Sequence, residues 1–265
     1  MKNPFIGIEN FIVNAATQVK DIIVLLAQVV YWIIIGPFKG KFVSRKHLFE
    51  QMTFSGVRSL AIVFFVAFFT GVVLAMQSAY QLQKMGATMY VASLVAVSLA
   101  RELGPVLTAL VVAGRVGAAI TAELGSMKVT EQIEAMQTLA INPIRFLAVP
   151  RILALLIVLP CLTIFADLVG MFGGWVIGVF NLGLSSGLYI DKTLEFLELK
   201  DVYIGLFKSF VFAGLISLIG CYMGFSTKGG AEGVGNSTTV SVVTSFILII
   251  LSDCVVTGIF YFTNM

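Results

Sequence analysis

Charge is scarce in this sequence: Asp, Glu, Lys and Arg make up 12% of its 265 residues, about half the share of an ordinary soluble domain. Set against an apolar fraction of 58% and a mean hydropathy of +1.00, that shortage excludes a water-soluble globular domain. Histidine occurs once, as His47 in a basic stretch, so imidazole metal centres and the usual acid–base pairs have nothing to be built from. The three cysteines, Cys161, Cys221 and Cys254, stand far apart inside apolar runs. They argue for plain packing and against a disulfide framework or thiolate metal site. The pattern G-x-x-x-x-G-K-S/T is missing, and the glycine-rich run Gly229 to Gly235 comes after no strand. It reads as a tight turn, not a phosphate cradle. A net charge of +3 is too small to indicate nucleic acid. No short apolar segment with a small-residue cleavage site opens the chain, so a removable signal peptide is not expected.

What is present is long apolar runs. Five stand out, at roughly 54–77, 90–120, 152–180, 202–225 and 240–262, each long enough for a helix to cross a bilayer. The sequence therefore predicts an all-α integral membrane protein, with an N-terminal segment over 1–52 and the membrane domain over 53–265. Within the N-terminal segment, the uncharged stretch Ile22–Phe38 lies in the interface, re-enters or crosses; an interfacial or re-entrant helix ranks first, giving five transmembrane helices in all. Basic residues orient the runs. With the N-terminus cytoplasmic and the C-terminus external, Lys2, Lys20, Lys39, Lys41, Arg45, Lys46, Arg58, Arg115, Lys128, Arg145, Arg151 and Lys228 fall inside, and Lys84, Lys192 and Lys200 fall outside. The external connection Asn181–Asp201 mixes leucines with acids and predicts a short helix at the membrane surface.

Arg101 and Glu102, directly before Gly104-Pro105, put two charges deep in an apolar run, a costly arrangement unless they face protein or water. Neighbours on a helix point about 100° apart, so the pair needs two separate partners. Pro105 lacks the amide that would bond the Arg101 carbonyl, which predicts a bend beside both charges. Lys208, about 10 Å of helical rise into the fourth run, is the counter-charge for Glu102, set against a lysine snorkelling to the headgroups. The trio reads as the lining of a functional cavity, with a structural ion network as the competing reading. Asp167 and Asp253 read first as hydrogen bonders between helices. Small residues four apart at Ala109, Ala113, Gly117, Thr121 and Gly125, and again at Gly170, Gly174 and Gly178, let helices approach closely in lipid. Between the second and third runs, Thr130 to Ala140 predicts a short amphipathic helix. Thr130 caps it, Glu131 and Glu134 sit in its first turn, Ile133 and Met136 lie on its apolar face, Gln132 is turned outward, and Asn142-Pro143 ends it. It either lies on the membrane or docks a partner.

The block Ser98-Leu-Ala-Arg-Glu-Leu-Gly-Pro, the run Ala122-Glu-Leu-Gly-Ser-Met-Lys-Val-Thr-Glu-Gln-Ile-Glu-Ala-Met, Asn142-Pro-Ile-Arg, Val149-Pro-Arg and Lys228-Gly-Gly-Ala-Glu-Gly-Val-Gly closely resemble the MlaE/YrbE family of lipid ABC-transporter permeases. The resemblance runs from about Phe54 onward. It implies a homodimeric permease in the bacterial inner membrane, two cytoplasmic ATPase subunits that carry the ATP and Mg, a periplasmic ring of MCE-domain lipid-binding proteins and, in some systems, a small STAS-domain protein. The permease itself then binds no cofactor and is not an enzyme. The resemblance further implies that Thr130, Glu131, Gln132, Ile133, Glu134 and Met136 belong to a coupling helix for the ATPase. It places Arg101, Glu102 and Lys208 in an outward-opening lipid cavity with Gln77 near its mouth, and makes Ile22–Phe38 an interfacial helix. The function expected is movement of phospholipid or a related lipid between the inner membrane and a periplasmic carrier. An ion-coupled secondary transporter and a non-transporting membrane anchor are the alternatives.

Overall fold

Apolar runs longer than a bilayer is thick have one stable form in lipid, the helix that satisfies its own backbone. The described residues take that form apart from short connections. The computed structural model describes residues 4–38 and 44–263, with side chains for 17–36 and 44–263; Lys2, Lys39 and Lys41, counted above among the inside charges, lie outside the described residues. Among the described residues there is no strand.

The helices are α1 (Pro4–Phe38), α2 (Arg45–Ser55), α3 (Leu60–Lys84), α4 (Val91–Ser98), α5 (Gly104–Val112), α6 (Ala118–Val129), α7 (Gln132–Thr138), α8 (Val149–Phe180), α9 (Ser186–Phe196), α10 (Leu199–Phe225) and α11 (Gly230–Phe262). Turns of π-helix at Leu99–Leu103 and Ala113–Gly117 join α4, α5 and α6 into one long element, and a third at Ile144–Ala148 leads into α8. Among the described residues six elements are long and apolar enough to cross a membrane, one more than the five expected, the first of them Thr17–Gly36 within α1. The protein is a multi-pass, all-α membrane protein. Much of its outer surface is large apolar side chains such as Phe65, Phe69, Leu168 and Ile250, as lipid contact requires.

Pro105 produces a widened turn where the sequence predicts a bend. The amide of Gly104 reaches back to the carbonyl of Leu99, a π-type bond that absorbs the missing proline amide without breaking the helix. The glycine stripes set close approaches. A β-carbon on Gly71 of α3 would lie 1.9 Å from the Gly170 carbonyl oxygen of α8, and one on Gly205 of α10 would lie 2.1 Å from that of Ala100. Gly117 faces Ile216, whereas Gly174 and Gly178 make room for the Tyr189 side chain of α9. Thr121 donates to its own helix at Gly117 and lies 3.1 Å from the Gly220 carbonyl and 2.8 Å from Ser241 Oγ, tying α6 to α10 and α11.

The tight turn expected over Gly229 to Gly235 closes before Gly230, because Gly229 adopts a left-handed φ of 91° and α11 begins at Gly230, taking the rest of the glycine-rich run into the helix. The short helix predicted within 181–201 forms as α9, capped by Ser185 Oγ, which accepts from the amide of Leu188 at 3.2 Å.

Candidate functional site: a buried ion cluster and a short outward-facing helix

Lys208 sits nine residues into α10, about 13 Å of rise, deeper than the sequence suggests. The helix starts earlier than its apolar run because Glu198 and Asp201 form a reciprocal cap at its N-terminus. The lysine is fully buried. A buried ammonium is tolerated only when paired, and three groups meet it. It contacts Glu102 Oε2 from the π-turn, donates to Thr257 Oγ1 at 2.7 Å, and lies 2.8 Å from Asp253 Oδ1. The last contact is an ion pair made off the hydrogen-bond direction, so Oδ1 is held by charge alone. The Thr257 hydroxyl lies 3.3 Å from Glu102 Oε1 and closes the ring.

Arg101 points elsewhere, its Nε 3.4 Å from Asp201 Oδ1, and that carboxylate also accepts the Glu198 amide in the helix cap. The two neighbouring charges thus have separate partners on α10. Glu102 and Arg101 keep 38% and 39% of their side chains exposed, so the cluster opens to the surface of the bundle although its lysine does not. A separate apolar groove of about 940 Å³ is lined by Tyr203, Phe207 and Phe210 of α10 and Phe260 of α11. Gln77 lies apart from the cluster: it is exposed and lines a shallow groove with Phe69, Val73 and Leu103.

Asp253, read as a hydrogen bonder between helices, is instead an ion-pair partner of Lys208, and Thr257 and Asp201 are the partners that sequence reasoning missed. The spacing of Asp253 and Thr257, four apart on one helix face, is the signal that was available. Asp167, read as a hydrogen bonder, is buried against Gly104, and its Oδ1 has no hydrogen-bond partner among the described residues.

On the opposite side of the protein, α7 is shorter than predicted. Thr130 closes α6 instead of capping α7, bonding back to the Ser126 carbonyl at 2.8 Å, while Glu131 enters the left-handed region at φ 59° and starts the new helix. The reversal needs a second left-handed residue, Ala140, at the far end. Ile133 is buried and Met136 packs against the core; Gln132, Ala135, Thr138 and Leu139 face outward. Lys128 of α6 pairs with Glu134, and that hydrogen bond holds the Glu134 carboxyl below the usual glutamate range. Asn142 does more than end the segment: its Oδ1 accepts the Arg145 amide at 3.1 Å, capping the π-turn that leads into α8. Buried Arg151 pins the base of α8, bonded to the Leu147 carbonyl and to Glu123.

An all-helical bundle crossed by a paired ion cluster, with a small outward helix between two spans, defines a multi-pass membrane protein with a polar interior site. Residues 48–259 match the family model Permease MlaE. The chain is 35% identical over 258 residues to the "Intermembrane phospholipid transport system permease protein MlaE" of Haemophilus influenzae, covering 96% of this chain and 98% of that one. It is 45% identical over 214 residues to a "Probable ABC transporter permease protein" of Rickettsia typhi (81% and 83% of the two chains). A protein of the same description in Synechocystis is 44% identical over 211 residues (80% of each). This protein belongs to the MlaE permease family.

Proposed function

We propose that the chain is the membrane-spanning subunit of an ABC transporter that moves phospholipid between the inner membrane and a periplasmic carrier. The observation that carries this reading is the buried Lys208 shared by Glu102 and Asp253, open to the surface of the bundle through Glu102, on a helix whose other residues line an aromatic apolar groove. Acyl chains suit that groove, and the ionic ring suits a polar headgroup or fixes the shape of the space that receives it. Two copies of the chain face one another across the cavity, with Gln77 near its mouth. The N-terminus is cytoplasmic and the C-terminus periplasmic, as the distribution of basic residues favours.

The energy comes from other subunits. Two ATPases bearing ATP and Mg dock on α7 through its outward residues, including Gln132 and Thr138, with Glu131 setting its angle. Closure of the ATPases pushes α7, and because α7 is bound to α6 through Lys128 and Glu134, the push reaches the second span and narrows the cavity. A periplasmic ring of MCE-domain proteins takes the lipid, and a STAS-domain protein on the ATPase completes the assembly. This chain holds no cofactor and catalyses no reaction.

The test is ATP-dependent lipid movement by the complex reconstituted in vesicles. Charge reversal at Glu102 (Glu102→Lys) is expected to abolish movement while the dimer still assembles. Unimpaired lipid movement by that variant would sink the proposal, as would transport that runs without ATP on a proton gradient.

A further inference from the structure

The elbow between α2 and α3 gathers two arginines and gives them no acid. Arg115, in the π-turn Ala113–Gly117, donates through Nη1 to Ser59 Oγ at 2.6 Å and through Nη1 and Nη2 to the Phe54 carbonyl at 3.2 and 3.3 Å. Arg58 is exposed, and its guanidinium lies over the Phe54 ring, 5.5 Å from the centroid; that of Arg115 lies 5.4 Å from the same centroid. Among the described residues neither arginine is within ion-pair distance of a carboxylate, and Arg58 makes no hydrogen bond. The other embedded cations are treated differently: Lys208 has Glu102 and Asp253, Arg101 has Asp201, and Arg151 has Glu123.

Depth identifies the missing anion. Arg58 stands two residues before the apolar helix α3 begins at Leu60. The preceding α2 is a polar helix whose His47 ring packs on Phe146, beside the base of α8 and on the same side as α7. About twenty residues from Leu60 cross about 30 Å of hydrocarbon, so the elbow sits at the level of the headgroups. Two guanidiniums there match the charge of a phosphodiester: Arg58 offers its free N–H fork, while Arg115, whose Nη groups hold the Phe54 carbonyl and Ser59 Oγ, adds its positive charge and remaining N–H groups. Phe54 and Val57, the latter exposed, flank the site with apolar surface for the start of an acyl chain. On the second span Arg115 is about fourteen residues, or about 20 Å, from Arg101, so this place is separate from the ion cluster.

We propose that Arg58 and Arg115 form a second lipid site, binding the phosphate of an anionic phospholipid in the leaflet on the α7 side. Bound there, the lipid neutralises the pair and braces the elbow through which α2 and α3 meet the second span. The site requires only that the chain be embedded in a membrane, and so stands or falls independently of the transport mechanism.

The experiment uses the purified, delipidated full chain in detergent, titrated with short-chain phosphatidylglycerol, short-chain phosphatidylcholine or inorganic phosphate, with bound lipid counted by native mass spectrometry and stability followed by melting. Phosphatidylglycerol is expected to bind and raise the melting temperature more than phosphatidylcholine. Arg58→Ala is expected to weaken phosphatidylglycerol binding roughly tenfold or more, the cost of one charge-assisted contact, with Arg58→Lys intermediate. Lys84→Ala, which removes a cation at the opposite end of α3, is expected to retain the tight phosphatidylglycerol site. Because Arg58 is exposed, its lipid-free variants should melt like the parent. Equal phosphatidylglycerol affinity in the parent and Arg58→Ala overturns the site, and stabilisation by inorganic phosphate matching that by the lipid overturns the headgroup assignment.

Discussion

The ammonium of Lys208 has no exposed surface and stands 2.8 Å from Asp253 Oδ1, with Glu102 on its other side. One cation therefore compensates two acids contributed by two other segments of the chain. Removing it leaves those acids facing each other with no counter-charge, a loss that costs about 3–5 kcal/mol where a buried pair is broken from one side. Lys208→Ala is expected to lower the melting temperature sharply. Adding Glu102→Gln and Asp253→Asn should recover much of the loss, because the uncompensated charge is then gone. A Lys208→Ala protein that melts like the parent would show that the cluster does not hold α10 and α11 together.

Gly205 has no room for a side chain, since a β-carbon there would lie 2.1 Å from the Ala100 carbonyl oxygen. That atom is backbone in the π-turn region and cannot rotate away. Gly205→Ala is expected to push α10 from the second span and cost about 1–3 kcal/mol or more, read as a lower melting temperature. The same change at Gly214, where nothing lies within 4 Å, is the control and should be neutral or mildly stabilising through helix propensity.

Tyr189 carries the short helix α9 into the notch made by Gly174 and Gly178. Its ring is buried, and its hydroxyl has no hydrogen-bond partner among the described residues; burial pushes its ionisation up to about 12. Tyr189→Phe keeps the ring and removes the unsatisfied hydroxyl, so it should be neutral or stabilising. Tyr189→Ala should cost about 3–5 kcal/mol and release α9 to protease. The raised value also sets a pH window. The phenol is neutral in both folded and unfolded chains below pH ~10, and its contribution falls as pH rises from there toward 12. Alkaline destabilisation should therefore be weaker in Tyr189→Phe.

Glu134 acts in the opposite pH direction. Its carboxyl is held below the usual range by the hydrogen bond from Lys128, so its contribution is present above the unfolded value and lost as pH falls through the folded one. Amides of Gln132–Thr138 should lose exchange protection below pH ~4, after correction for intrinsic rates. Glu134→Gln should remove that pH dependence; protection that falls identically in both proteins would dissociate α7 from this ion pair.

Charge scarcity and run length alone determined the all-helical membrane class, because a bilayer offers no water to backbone groups and a helix is the local answer. The sequence also put Lys208 opposite Glu102, since a charge stranded in an apolar run demands a partner and few are on offer. Other features were not local. Asp253, Thr257 and Asp201 became partners only when α10 and α11 packed against the π-turn, and the sequence carries no register between helices that distant. The shortened α7 depended on Glu131 and Ala140 entering the left-handed region, which the packing of Ile133 and the Lys128 contact impose against intrinsic preference. The unpaired arginines at the elbow were legible only as scattered positive charge until the fold brought both to one phenylalanine. Local composition fixes what must be buried or paired; only the tertiary structure decides with what, because helix-to-helix register is set by side-chain shape across the whole bundle.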